Sequence, residues 1–282
     1  MNNVIFLLVK DCMSTESLPV YGNTFWNTPN IDALAENGTV FLKHYAAAGS
    51  TTMSVTAMLS GHYLYEFASR EVYTTVMDSE FPSIFDYYQS IGYECHIIGD
   101  NSIKSDIEKI GEYGNRDSSI FHFLAIGEMT GGANTDGHVI VRNDEKLKYT
   151  IAQIEAAVDS IDYSKNVFVY MHLPHVFLGR RCYMDDMDAF DEIVGYVRQK
   201  VGDDSIFLTT DHGHMNMHKK TVGYGFDLYD PVVRIPLITP RINGQKEINY
   251  LTCNCDIGEL LKNKTIHKRD YVVSETAYYW QP

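Results

Sequence analysis

Five short runs of almost unbroken apolar residues constrain the fold of this chain more than any other feature. They lie at 3–9, 95–99, 166–172, 205–210 and 234–239. Continuous rather than alternating hydrophobicity is typical of strands that are covered on both faces, as in a parallel sheet. Between the runs, apolar residues recur at three- and four-residue steps and predict helices within 28–38, 144–161 and 187–201. This alternation predicts an α/β fold with a mainly parallel central sheet and helices on both faces.

The length of the chain sets the expected number of domains. With 282 residues, of which 45% are hydrophobic, it is long enough to bury one full-sized core. We therefore expect a single domain over 1–282. The segment 115–143 is rich in Gly, Asn and Asp, which predicts a long loop or a small excursion from that domain.

Charge and cysteine content narrow the functional classes. The chain has 37 acidic and 23 basic residues and a net charge of −14, which argues against nucleic acid or an anionic membrane surface as its main partner. No apolar run approaches the roughly 20 residues of a membrane-spanning helix, and the N-terminal residues lack the pattern of a signal peptide. As written, the chain is expected to be cytoplasmic, or extracytoplasmic if it is excised from a longer protein. The five scattered cysteines predict reduced thiols rather than a disulfide framework.

Polar residues follow three of the predicted strands at the point where each strand ends. In an open parallel sheet, ligands bind beyond the carboxyl ends of the strands, so these residues are candidates for a site. Carboxylate and imidazole groups together suit Zn²⁺ or Mn²⁺ better than Ca²⁺, which prefers oxygen ligands. Each residue also has a purely structural interpretation, as a helix cap, a buried histidine or part of a turn. The candidates are Asp11, His172, His175, Asp211 and His212.

In the sequence AAAGSTTMSVTAMLSG at 46–61, four hydroxyl residues (Ser50, Thr51, Thr52 and Ser54) precede an apolar helical pattern. Such residues cap helix N-termini by accepting bonds from free N–H groups, and capping alone would explain them. A helix N-terminus also favours anions, so it is a suitable place for an alcohol that attacks one. Together with the strand ends, Thr51 would give a single cation two carboxylates, an imidazole and an alcohol oxygen.

The order of these motifs resembles the sulfatase-like domain of the alkaline phosphatase superfamily. The similar segments are 3–61, with its TPNID and nucleophile region, TTDHGH at 209–214, RIPLI at 234–238 and YVVSE at 271–275. The resemblance implies the three-layer sandwich of that superfamily over nearly the whole chain. It also implies one metal held by Asp11, Thr51, Asp211 and His212, with Zn expected and Mn as the alternative. His175 would then protonate the leaving group, and His172 would lie in the substrate pocket.

Within the superfamily, the nucleophile region differs from that of true sulfatases. Their Cys/Ser-x-Pro-x-Arg box is replaced by TTMSV, with Met53 in place of Pro and Val55 in place of Arg. The segment that contains Asp100, Asn101 and Lys104 resembles instead an element of the phosphoethanolamine transferases, and these three residues are predicted to bind substrate. Those transferases also use a Thr nucleophile, although their first ligand is usually Glu and membrane helices precede their catalytic domain. This branch is therefore the closest resemblance.

The resemblance implies a metal-dependent phosphotransferase. It would move a phosphoethanolamine- or phosphoglycerol-like group through a phospho-threonine intermediate, from a phosphodiester donor related to a lipid head group to an alcohol or glycan acceptor. His218, Lys219 and Lys220 are the candidates for phosphate contact. One alternative is a soluble phosphoester or sulfate-ester hydrolase of the same fold. Another is a catalytically silent protein that binds a metal and an anionic glycan or head group.

Overall fold

The computed structural model describes residues 3–67, 81–99, 121–125, 151–174, 179–216, 218–225 and 227–276, with the backbone alone at 121–125 and 179–182. Its helices are α1 (Pro29–Asn37), α2 (Thr51–Ser60), α3 (Ile84–Ser90), α4 (Ile151–Asp159), α5 (Gly179–Val201), α6 (Asp230–Val233) and α7 (Ile257–Asn263). Its strands are β1 (Val4–Lys10), β2 (Thr39–Phe41), β3 (His44–Tyr45), β4 (Glu94–Gly99), β5 (Phe121–Ala125), β6 (Val167–Leu173), β7 (Ile206–Thr209), β8 (Met215–Asn216), β9 (Val222–Gly223), β10 (Leu237–Thr239), β11 (Glu247–Ile248) and β12 (Thr252–Cys253). Among these helices, none is long and apolar enough to cross a bilayer.

The centre of the molecule is an eight-stranded sheet with the order β11-β2-β10-β7-β1-β6-β4-β5. The strands β7, β1, β6, β4 and β5 are mutually parallel neighbours, whereas β10 runs antiparallel to both β7 and β2. All five apolar runs become strands of this sheet. The predicted α/β fold with a mainly parallel sheet is confirmed.

Alternate residues of the central strands supply the two faces of the sheet. Phe6 and Leu8 of β1 belong to the core that contains side chains of α1, α4 and α5. Leu7 and Val9 belong to a second core that contains side chains of α2, α3 and α7. Helices therefore cover both faces, as predicted, and each strand of the centre is apolar on both sides for this reason.

The observed elements differ from the predicted ones at three places. Within the predicted loop 115–143, residues Phe121–Ala125 form β5, which pairs in parallel with β4 at the edge of the sheet. Its sequence FHFLA is apolar enough to extend the sheet, and the rest of that segment lies outside the described residues. Helix α5 begins eight residues before the predicted start at 187. Strand β10 begins only after Pro236, which has no N–H to donate to a ladder.

Candidate active site

Strand pairing places the predicted site residues on one face of the sheet. Val9 pairs with His172 of β6 and with Thr209 of β7, so these three residues form one row across the sheet. Asp11 and Asp211 each follow a member of that row by two residues, and a step of two keeps a side chain on the same face. That face is the one covered by α2, whose first residue carries the predicted nucleophile.

The residue before Asp11 points to the opposite face. The Lys10 ammonium lies 2.6 Å from Asp186 Oδ2 on α5, and both side chains are only 1% exposed. The same ammonium donates to the carbonyls of Asp11, at 3.3 Å, and of Pro174, at 3.2 Å. Lys10 therefore ties together the ends of two neighbouring strands directly behind the site.

Helix α2 presents the predicted nucleophile to the strand ends. Ser50 occupies the N-cap position, and its side chain makes no capping hydrogen bond. The Thr51 hydroxyl instead lies 3.1 Å from His212 Nε2. One turn further on, the Ser54 hydroxyl donates to the Asp211 carbonyl and accepts a 2.7 Å bond from Asn254 Nδ2. Side-chain hydrogen bonds therefore fix the start of the helix against the end of β7, and the Thr51 hydroxyl is left to face the site.

Two carboxylates and the Thr51 hydroxyl converge on one nitrogen of His212. His212 Nε2 lies 3.4 Å from Asp211 Oδ2, 3.7 Å from Asp11 Oδ1 and 3.1 Å from Thr51 Oγ1. The other nitrogen, Nδ1, lies 2.9 Å from the Gly213 carbonyl. Because a carbonyl only accepts hydrogen bonds, we assign the proton of the neutral ring to Nδ1. Nε2 then presents a lone pair to the cluster.

The cluster fits a divalent cation. Bonds of about 2.1 Å to a tetrahedral zinc ion separate ligand atoms by about 3.4 Å, and the three distances from His212 Nε2 bracket this value. Asp211 is fully buried, and its Oδ2 accepts no hydrogen bond from the described residues. A buried carboxylate oxygen of this kind is costly without a compensating charge. Asp11, Thr51, Asp211 and His212 are therefore the residues that would hold the ion.

Two neighbours of His212 were not predicted from the sequence. The Cys12 sulfur lies 3.8 Å from His212 Nδ1, and Cys12 has a left-handed backbone with φ of 63°. The ligand atoms of Asp11, Cys12 and His212 all lie within 4.8 Å of one another. Tyr224 packs its ring on that of His212, with centroids 4.2 Å apart. Adjacency to Asp11 was the available signal for Cys12, whereas Tyr224 belongs to none of the recognised motifs and had none.

The other predicted site residues do not approach His212 Nε2 among the contacts described, although His172 Nε2 lies 3.9 Å from Asp211 Oδ2. His172 is fully buried, which argues against the substrate contact predicted for it. In the described part of the chain, no residue of the triplet 218–220 bonds to the cluster. His218 pairs with Glu16 at 2.9 Å, and the Lys219 ammonium lies 3.2 Å from the centre of the Tyr229 ring. The remaining predicted residues, Asp100, Asn101, Lys104 and His175, lie outside the described residues.

The sheet and the strand-end cluster define a member of the alkaline phosphatase superfamily. The chain belongs to the Sulfatase family, whose model matches residues 2–249. The family resemblance found in the sequence is thereby confirmed. The family model does not distinguish branches within the family, so it does not support the narrower resemblance to the phosphoethanolamine transferases.

Comparison with individual proteins gives short or distant similarities. Human arylsulfatase D is 43% identical over 61 residues, which are 22% of this chain and only 10% of that protein. The phosphonate monoester hydrolase of Agrobacterium radiobacter has a TM-score of 0.66 and 15% identity, over 95% of this chain and 74% of that one. The soluble domain of lipooligosaccharide phosphoethanolamine transferase A from Neisseria meningitidis has a TM-score of 0.63 and 13% identity, over 93% and 87%. At identities this low, the similarity to these two solved structures shows a shared fold and nothing more specific.

Proposed function

We propose that this chain is a metal-dependent phosphoester hydrolase that forms a covalent phospho-threonine at Thr51. The observation that carries the proposal is the 3.1 Å approach of the Thr51 hydroxyl, at the start of α2, to His212 in the buried cluster. Hydrolysis was the alternative to transfer in the sequence analysis. It now takes first place because the proteins similar to this chain include an arylsulfatase and a phosphonate monoester hydrolase, which are hydrolases by name.

A threonine nucleophile favours phosphate esters over sulfate esters. Sulfatases resemble one another in a Cys or Ser that becomes formylglycine, whose hydrate retains a second hydroxyl with which to expel sulfate. Thr51 stands at that position here, and an ester of threonine has no second hydroxyl on the same carbon. A phosphoryl group on Thr51 can still leave by direct attack of water on phosphorus. We therefore assign phosphate mono- or diesters as the substrate class.

The chemistry would proceed in two displacements at phosphorus. The Thr51 hydroxyl loses its proton to water, its oxygen attacks phosphorus, and the bond from phosphorus to the ester oxygen breaks. The departing alkoxide takes a proton, for which His175 remains the predicted donor. Water then attacks phosphorus and breaks its bond to Thr51, which regains a proton. A bound cation would lower the pKa of the Thr51 hydroxyl and neutralise charge on the phosphoryl oxygens.

Helix α2 contributes to the same displacements. The first N–H groups of an α-helix point out of its N-terminus, which here is the end that carries Thr51. They are placed to bind the oxygens of a phosphoryl group as it is transferred. Because Ser54 and Asn254 hold the helix in place, these donors are oriented before substrate arrives.

Transfer to an alcohol acceptor is a second candidate function. It is supported by the Thr nucleophile, which resembles that of the phosphoethanolamine transferases, and by the fold shared with one such enzyme. The two functions differ only in whether water or an alcohol attacks the phospho-threonine. Glycerol or ethanolamine added during turnover separates them, because a transferase joins the phosphoryl group held on Thr51 to the acceptor oxygen, in addition to releasing the product of hydrolysis.

The proposal is tested with zinc-loaded protein and three aryl esters: bis(p-nitrophenyl) phosphate, p-nitrophenyl phosphate and p-nitrophenyl sulfate. We expect higher kcat/KM for a phosphate ester than for the sulfate. Thr51→Ala should lose several powers of ten in kcat, whereas the adjacent control Thr52→Ala should stay within about tenfold. Intact-mass analysis after brief exposure should show a phosphoryl adduct that Thr51→Ala lacks. A preference for sulfate, or an adduct on another residue of α2, would refute the proposal.

A further inference from the structure

We propose that His172 is an additional metal ligand, which binds the cation of the Asp211 and His212 cluster from the buried side of the site. The inference rests on the metal-dependent function proposed above, and it adds a second imidazole to the ligand set. It also gives His172 a different role from the substrate contact predicted from the sequence.

Two imidazoles flank the same carboxylate oxygen. Asp211 Oδ2 lies 3.4 Å from His212 Nε2 and 3.9 Å from His172 Nε2. With His172 the ion would have five protein ligands, and atoms that share a five-coordinate ion with bonds of about 2.1 Å are about 3.0 to 4.2 Å apart, a range that includes both separations. Because His172 is one row deeper in the sheet than Asp11 and Asp211, it reaches this oxygen from below.

The two histidines are also anchored in the same way. His212 Nδ1 lies 2.9 Å from the Gly213 carbonyl, which can only accept, and His172 Nδ1 lies 2.8 Å from the Tyr170 hydroxyl, which accepts when His172 Nε2 binds the metal. Metal-binding histidines almost always use their second nitrogen for such a bond to an oxygen, which fixes the ring and leaves the first nitrogen for the metal. In both rings the nitrogen left over is Nε2, and both Nε2 atoms face Asp211.

The burial of these groups supports a ligand role over a structural one. His172 and Asp211 are both fully buried, and neither His172 Nε2 nor Asp211 Oδ2 has a hydrogen-bond partner among the described residues. At 3.9 Å the two atoms are too far apart to satisfy each other. A buried nitrogen and a buried carboxylate oxygen without partners are costly separately. One cation in contact with both removes both costs.

A second imidazole would change which metal the site selects. Two nitrogen ligands disfavour Ca²⁺ and Mg²⁺ and favour Zn²⁺ and its transition-metal neighbours. It would also leave four protein ligands when Thr51 is replaced, so Thr51→Ala should keep its metal.

Cys12 is the competing candidate for the additional ligand. Its sulfur lies within the same group of possible ligand atoms. However, it is 3.8 Å from the Nδ1 edge of His212, the edge that the Gly213 carbonyl occupies, whereas the carboxylates approach Nε2. We therefore favour His172, and a sulfur ligand is a distinguishable outcome of the test.

The test is a titration of the metal-free full chain with Co²⁺, followed by its visible absorption bands and by competition with a chelator. His172→Gln should weaken cobalt binding at least about tenfold and change the visible bands, because a ligand is lost. His44→Gln is the matched control. His44 is also fully buried, its Nδ1 lies 2.9 Å from the Thr252 hydroxyl, and burial lowers its pKa to about 3, so its own ring is neutral.

A second variant covers the case in which His172→Gln does not fold. Tyr170→Phe keeps the buried ring and removes only the hydroxyl at His172 Nδ1, so it should weaken cobalt binding by about 10-fold to 100-fold with an intact fold. Wild-type affinity and bands in a folded His172→Gln, or in Tyr170→Phe if His172→Gln does not fold, would overturn the inference. So would a sulfur-to-cobalt band that Cys12→Ser abolishes, or an absence of cobalt binding by the wild type.

Failure of the inference is distinguishable from failure of the proposed function. Cobalt binding that depends on His172, in a protein with no phosphoester turnover and no Thr51 adduct, would leave the ligand assignment standing and refute the function. Phosphoester turnover and a Thr51 adduct in the wild type, together with cobalt bands that His172→Gln leaves unchanged, would support the function and refute the ligand assignment.

Discussion

Replacing Lys10 by methionine should be among the most destabilising single changes in the sheet. Methionine keeps the apolar stem of the side chain and removes the ammonium that lies 2.6 Å from Asp186. Both groups are 1% exposed, so the aspartate would remain buried without the Lys10 ammonium. Removing one member of a buried pair costs about 3–5 kcal/mol. The carbonyls of Asp11 and Pro174 would also lose a donor, at about 1 kcal/mol each at most.

The assay is urea unfolding of the full chain with a chelator present, so that metal binding does not contribute to the measured stability. Lys10→Met should lower the free energy of unfolding by about 3–5 kcal/mol. The double variant Lys10→Met/Asp186→Leu should recover most of that loss, because replacing a whole buried ion pair by apolar residues is often neutral. It should nevertheless bind Co²⁺ more weakly than the wild type, since the Asp11 carbonyl then loses the Lys10 ammonium as a donor.

Two results would refute this reasoning. A loss below about 1 kcal/mol in Lys10→Met would mean that the pair behaves like an exposed one. A double variant with full stability and wild-type cobalt affinity would mean that Lys10 has no part in positioning Asp11.

Three further predictions concern backbone space, pH and metal. Gly213→Ala should cost at least about 1–3 kcal/mol in urea unfolding, because its Cβ would lie 2.0 Å from the Pro231 carbonyl oxygen. Hydrogen bonds from Arg198 hold the pKa of Asp203 below its usual value. This pair should therefore stabilise the fold above pH about 4 and lose that contribution as the pH falls further. In Arg198→Gln, the free energy of unfolding should depend less on pH below about 4. Zinc at 100 times its dissociation constant should raise the free energy of unfolding by about 2.7 kcal/mol, measured against a chelator-treated sample.

The fold could be predicted from the sequence largely because its signals are local. An unbroken apolar run identifies a central strand by itself, and Asp11 and Asp211 follow two such runs directly. Strand β5 was missed because a run of five residues, four of them apolar, is a weak signal next to the Gly and Asn residues of the same segment.

The details of the site depend on pairings between distant parts of the chain, and no local pattern encodes them. The contact of Lys10 with Asp186 requires α5 to lie under β1, and the depth of His172 follows from its register with Val9. In the sequence, His172 can be recognised only as a polar residue at the end of a strand. Its position one row below Asp11 follows from strand pairing. The packing of Tyr224 on His212 depends on the antiparallel pairing of β8 with β9, which returns the chain towards the site.

The opposite orientations of Lys10 and Asp11 also bear on how β1 finds its place during folding. An apolar strand flanked by apolar strands can slide by one residue at little hydrophobic cost, and such a slip exchanges the two faces. Here the slip would carry the ammonium into the cation cluster and a carboxylate towards Asp186, so that like charges would meet on both sides of the sheet at once. Only one alignment of β1 neutralises both faces. Lys10 and Asp11 at the end of β1 therefore specify the register of the strand, which the apolar residues of β1 and its neighbours do not specify by themselves.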